Sequence, residues 1–120
     1  MLFNFILVGA GGAIGSMLRY FLAIVWGPRS FPYATLTANI IGCFVIGILF
    51  GLGLRHSVSN YSWKFLSIGI CGGFTTFSAF SLEGVEFLQQ QRFIPFILYL
   101  VSTLTVGLVA TFIGYTVVRN

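Results

Sequence analysis

Asn39, Thr76, Ser78, Ser81 and Thr103 place hydrogen-bonding side chains in stretches that are otherwise apolar, and Phe77 and Phe80 alternate with the two serines. No Asp or Glu occurs before Glu83. Hydroxyl and amide groups donate to an anion, and the electropositive edge of a phenylalanine ring adds weak attraction. Proton-coupled cation exchange within a membrane instead relies on an embedded carboxylate. These residue types therefore favour an anion path over a cation exchanger. The bland alternatives are an interhelical hydrogen bond for Asn39, hydroxyls bonded back to their own helix, and packing roles for the two rings.

The segment that would bring these groups together is Gly69–Ser81, GICGGFTTFSAFS, within a run that carries no charge between Lys64 and Glu83. The run is close to the roughly 20 residues that cross a bilayer. Yet its centre holds paired glycines and paired threonines, and glycine is a poor helix former. Threonine and serine offer the backbone competing hydrogen bonds. A break in a helix at membrane depth is tolerated where protein buries it or where it lines a wet cavity. Such breaks free carbonyls and N–H groups for ions. The segment predicts a chain that holds or moves an ion inside a membrane.

Composition supplies the surrounding elements. Of 120 residues, 58% are hydrophobic and 7% charged, against about a quarter charged in a soluble domain. Four apolar stretches predict an all-α membrane protein with spans near residues 2–26, 33–54, 61–82 and 93–118, the third broken near its middle. The connectors Gly27–Pro32, Arg55–Asn60 and Glu83–Arg92 carry charge, Gly or Pro. The amino-terminal stretch reads as the first span, since it lacks the basic start of a signal peptide.

Arg55, Lys64 and Arg119 fall on one side of such a bundle and Arg29 and Arg92 on the other. That bias barely fixes an orientation under the positive-inside rule, so the chain is open to insertion both ways up. Arg19 lies late in the first span, where it either snorkels to the interface or attracts anions at a vestibule. Gly11/Gly15, Gly47/Gly51 and Gly69/Gly73 repeat at four-residue spacing, as closely packed membrane helices require. Four spans are few to enclose an ion path, and oligomerisation is expected.

Several functions are disfavoured. No basic cluster supports nucleic-acid binding. No phosphate-binding glycine loop with its lysine is present. His56 has no partner ligands nearby, and Cys43 and Cys71 lie apart in apolar segments, so neither a metal cluster nor a disulfide is expected.

Three motifs then carry a resemblance across essentially the whole chain. They are Gly11-Gly12-Ala13-Ile14-Gly15-Ser16-Met17-Leu18-Arg19-Tyr20, Thr35-Leu36-Thr37-Ala38-Asn39-Ile40-Ile41-Gly42, and Gly72-Gly73-Phe74-Thr75-Thr76-Phe77-Ser78-Ala79-Phe80-Ser81-Leu82-Glu83. Together they resemble the CrcB/Fluc family of fluoride channels. The resemblance implies an antiparallel, dual-topology homodimer in a bacterial inner membrane, embedded in lipid, with two pores that export cytoplasmic fluoride passively. It implies pore roles for Asn39, Phe77 and Phe80, and polar pore-side positions for Thr76, Ser78, Ser81, Tyr99 and Thr103. It places Arg19 near a vestibule. It implies a structural Na+ held at the dimer centre by the backbone carbonyls of Gly72 and Thr75. One departure is Gly107, where the family commonly has a hydroxyl residue. The rival readings are a small four-span multidrug exporter, which needs a first-span carboxylate that this chain lacks, and a non-transporting membrane subunit, which leaves the helix break unexplained.

Overall fold

Uninterrupted apolar sequence free of proline makes α1 (Leu2–Trp26) and α2 (Tyr33–Leu54), and α6 (Phe93–Arg119) admits its proline only in the first turn, where a missing N–H is harmless. At 1.5 Å per residue, the shortest of these is about 33 Å long, enough to span a hydrocarbon core of about 30 Å. The computed structural model describes residues 1–119.

The third span is composite. It starts with α3 (Asn60–Trp63), capped by the Ser59 hydroxyl accepting from Ser62 N at 3.1 Å. It then widens into a π-helical segment, Lys64–Cys71, and tightens again in α4 (Gly72–Phe74). Thr75 and Thr76 are extended, and α5 (Phe77–Gln89) follows. Among the described residues the architecture is thus all-α, with four helices long and apolar enough to cross a membrane; the third is broken at the paired threonines, while the paired glycines just before them stay helical. One boundary differs from expectation. The charged stretch Glu83–Arg92 is a connector on sequence grounds, yet α5 continues to Gln89. Glu83 is therefore helical and half-buried, with partners that offset the cost of its burial.

The spans pack as two pairs, α1 along the π segment and α4, and α2 along α6. Glycine makes both contacts possible. A Cβ on Gly69 would stand 2.9 Å from Gly11 Cα, and one on Gly73 would meet the Gly12 backbone. A Cβ on Gly47 would come within 3.0 Å of Tyr115 N, and one on Gly114 within 3.0 Å of Ile48 N. The four-residue glycine spacing is thus used within the chain, backbone against backbone, where dispersion and weak C–H contacts accumulate.

Two helices end without glycine where glycine would be favoured. After α2, His56 sits at φ 55°, with His56 N donating to Gly53 O and Ser57 N to Leu52 O. After α5, Gln91 sits at φ 57°, with Gln91 N donating to Leu88 O and Arg92 N to Phe87 O. Both patterns are Schellman caps, whose left-handed residue is usually Gly because a Cβ is strained there. His56→Gly and Gln91→Gly should each stabilise the detergent-solubilised chain by about 1 kcal/mol, read as a higher thermal midpoint. A lower midpoint would show that either side chain holds the connector by itself.

Candidate ion pathway

Breaking a helix at Thr75–Thr76 strands backbone groups that water would otherwise satisfy. Asn39 of α2 takes both polar groups of Thr76. Its Oδ1 accepts from Thr76 N at 2.8 Å and its Nδ2 donates to Thr76 O at 3.1 Å. The carboxamide thus pairs with the extended residue much as a neighbouring strand would. One Nδ2 hydrogen remains uncommitted. Thr76 in turn caps α5, its Oγ1 accepting from Ala79 N at 3.1 Å and lying 3.1 Å from Ser78 Oγ. Thr75 closes the preceding turn, its N and its Oγ1 both donating to Cys71 O, at 3.0 and 2.9 Å.

Arg19 reaches the same break from α1, Nε donating to Gly73 O at 3.2 Å. The guanidinium is half-buried and tied to backbone, so it does not simply extend to the interface. Among the described residues, no side chain donates to the carbonyls of Gly72 or Thr75. Those residues also contain no cluster of three His, Cys, Asp or Glu. Any cation held at the break would therefore be bound by backbone and hydroxyl oxygens.

A groove of about 420 Å³ opens beside the break. α2 contributes Asn39, Gly42, Cys43 and Ile46, and the third span contributes Ser67, Cys71, Gly72, Thr75, Thr76, Phe77 and Phe80. α6 closes it with Thr103 and Leu104. Thr103 Oγ1 is buried there without a hydrogen-bond partner among the described residues, which is costly for a hydroxyl, about 1–3 kcal/mol. Phe77 is 77% exposed in the single chain, with its ring 5.6 Å from that of Phe80. The groove thus gathers Asn39, Thr76, Phe77, Phe80, Thr103, Gly72 and Thr75. Ser78 and Ser81 are exposed and lie outside its lining.

Tyr99 also lies outside it, buried to 1% exposure and 5.0 Å from Phe80, ring to ring. Its hydroxyl donates to Glu83 Oε1 at 2.8 Å, while Thr35 Oγ1 donates to Glu83 Oε2 at 3.0 Å. Glu83 also lines a second cavity of about 430 Å³ at the end of the bundle, together with Arg29, Arg92 and Glu86. Sequence reasoning missed this carboxylate. The signal was available by elimination, because Thr35 and Tyr99 each need a partner and the chain has only two acidic residues. Phe80 and Tyr99 connect the groove to Glu83 and, through it, to the end cavity.

Comparison with known proteins assigns the lineage. Residues 6–115 match the family model described as CrcB-like protein, Camphor Resistance (CrcB). The fluoride-specific ion channel FluC of Flavobacterium psychrophilum is 41% identical over 94% of each chain. That of Leptospira interrogans is 39% identical over 98% of this chain and 95% of its own. That of Helicobacter pylori strain G27 is 38% identical over all of this chain and 96% of its own. The broken third span and the near end-to-end match lead to one conclusion: this chain belongs to the CrcB family.

Proposed function

We propose that the chain is a subunit of a passive, fluoride-selective channel whose path runs along the groove beside the broken third span. The observation that carries this reading is the Thr103 hydroxyl, buried in the groove without a partner. A small, strongly hydrated anion needs close donors when it sheds water. The spare amide hydrogen of Asn39 and the hydroxyl of Thr103 supply them, and the Phe77 and Phe80 ring edges add positive potential. The relatives named above are fluoride-specific channels, which favours fluoride as the anion. Passive flow down its gradient would export cytoplasmic fluoride.

A second copy in the opposite orientation would complete the path. The single chain leaves Phe77 largely exposed at the groove, and its nearly balanced basic residues permit insertion both ways up. Ser78 and Ser81, exposed on α5, would serve only such an assembled pore. Tyr99 and Glu83 would act one layer behind the groove, where Tyr99 supports the Phe80 ring. Arg19 would add positive potential at the break.

The carbonyls of Gly72 and Thr75 fit a hard monovalent cation. They are oxygen ligands that no side chain among the described residues donates to, and among those residues no carboxylate borders the groove to balance a divalent charge. Na+ bound there would lend fixed positive charge to the centre of the assembly and would not drive transport.

In liposomes containing only this chain, fluoride should escape while chloride is retained. Thr103→Val keeps the side-chain shape but removes the donor. It should slow fluoride efflux by about tenfold, the scale of one hydrogen bond to a charged group. Wild-type efflux from a folded Thr103→Val dimer would exclude the groove hydroxyl, and proton-coupled dye uptake would favour an exporter.

Replacing all Na+ with a bulky organic cation should reduce fluoride flux without abolishing selectivity. Imposing or collapsing a Na+ gradient at constant concentration on one side should leave the direction of fluoride flow unchanged. A fixed Na+ to fluoride ratio in paired flux measurements would instead make the protein a symporter.

A further inference from the structure

α6 has no side chain at Gly107, one helical turn beyond Thr103. A Cβ placed on Gly107 would meet only the Cys43 Sγ within 4 Å, at 3.4 Å. The Cys43 side chain, projecting from α2, therefore packs against the bare turn of α6 at Gly107. Cys43 is a free, half-buried thiol that lines the groove, and no hydrogen bond engages it among the described residues. A second group points to a ligand in this groove independently, since Thr103 Oγ1, from the same lining, is buried and has no hydrogen-bond partner among the described residues. Two donors without partners in one groove, Thr103 from α6 and Cys43 from α2, are what an anion moving along that groove requires.

We propose that the Cys43 thiol is a donor in the ion path and the site at which a small thiol reagent closes it. The inference rests on the channel reading above. A thiol is a weak donor, but here no other protein group among the described residues competes for it. Unlike a hydroxyl, it is also a nucleophile once deprotonated. Methyl methanethiosulfonate would form a Cys43 Sγ–S–CH3 disulfide, breaking its own S–SO2 bond and releasing methanesulfinate, while the thiol proton passes to solvent. The added thiomethyl group removes the donor and occupies the groove. Cys71 lines the same groove but is only 6% exposed, so Cys43 should react first.

The test uses the full chain in liposomes, with fluoride efflux and intact mass read on the same samples. Cys43→Val should lower efflux by about threefold, the low end of one hydrogen bond, while Cys43→Ser should restore or exceed the wild-type rate. Methyl methanethiosulfonate should add one thiomethyl group per wild-type chain, block efflux, and be reversed by dithiothreitol. Efflux through Cys43→Ser should resist the reagent, and Cys71→Ser should remain sensitive. If Cys43→Val fails to fold, the reagent on the wild-type chain decides alone. A wild-type chain labelled at Cys43 that conducts fluoride normally overturns the inference and leaves the channel reading intact, as does a chain in which Cys43 stays unlabelled after Cys71 has reacted. A wild-type chain that passes no fluoride at all overturns the channel reading and this inference together.

Discussion

The two hydrogen bonds between the Asn39 carboxamide and the backbone of Thr76 are the constraint on which the site depends. A broken membrane helix is viable only if something other than water satisfies the freed groups. Here one side chain satisfies both polar groups of one residue, and it comes from a different span. The position of α2 thereby fixes where the third span bends. It also fixes where α5 starts, because the same Thr76 caps that helix. Phe77 and Phe80 follow directly, so the placement of both rings is set by the bridge.

Close helix contact holds the frame in which that bridge can form. Glycines 11, 15, 69 and 73 let α1 lie against the third span, and glycines 47, 51 and 114 let α2 lie against α6. A bilayer gives little hydrophobic drive for helices to associate, so backbone proximity and interhelical hydrogen bonds must supply it. The two pairs meet at the break. Arg19 binds Gly73 O from one side and Asn39 binds Thr76 from the other. A Cβ on Gly42 would collide with the Thr75 side chain, which ties α2 to the break again. Outside this seam the helices expose large apolar side chains, a surface suited to lipid.

Much of this was legible in the sequence because it follows from local rules. Gly72-Gly73 and Thr75-Thr76 announce a break nearby, since glycine is a poor helix former and threonine hydroxyls compete for backbone hydrogen bonds, and the structure places it at the threonines. Asn39 announces a partner, because a lone amide in an apolar span is costly. Its choice of the Thr76 backbone depends on how two spans pack, which no local rule supplies. The same holds for Arg19, whose two sequence readings were interface and vestibule, while the structure ties it to Gly73 O. The Glu83 cluster was hidden for a different reason. An acidic residue after an apolar run looks like the start of a loop, and only tertiary placement of Thr35 and Tyr99 allows the helix to carry it onward. Tyr99 illustrates the converse, a polar residue in an apolar span that serves this buried cluster and lies behind the groove.

The claim that Asn39 holds the break can be tested at the Thr76 amide by residue-resolved hydrogen exchange in lipid nanodiscs. The wild-type amide should be protected, because Asn39 Oδ1 accepts from it. Asn39→Asp keeps an acceptor and should retain protection, whereas Asn39→Leu removes it and should accelerate exchange at Thr76 by at least about tenfold, the scale of one buried hydrogen bond. Amides in the middle of α2 and α6 should be unchanged in both variants. Equal protection of Thr76 in the wild type and Asn39→Leu would contradict the account, since the break would then be held by something other than Asn39.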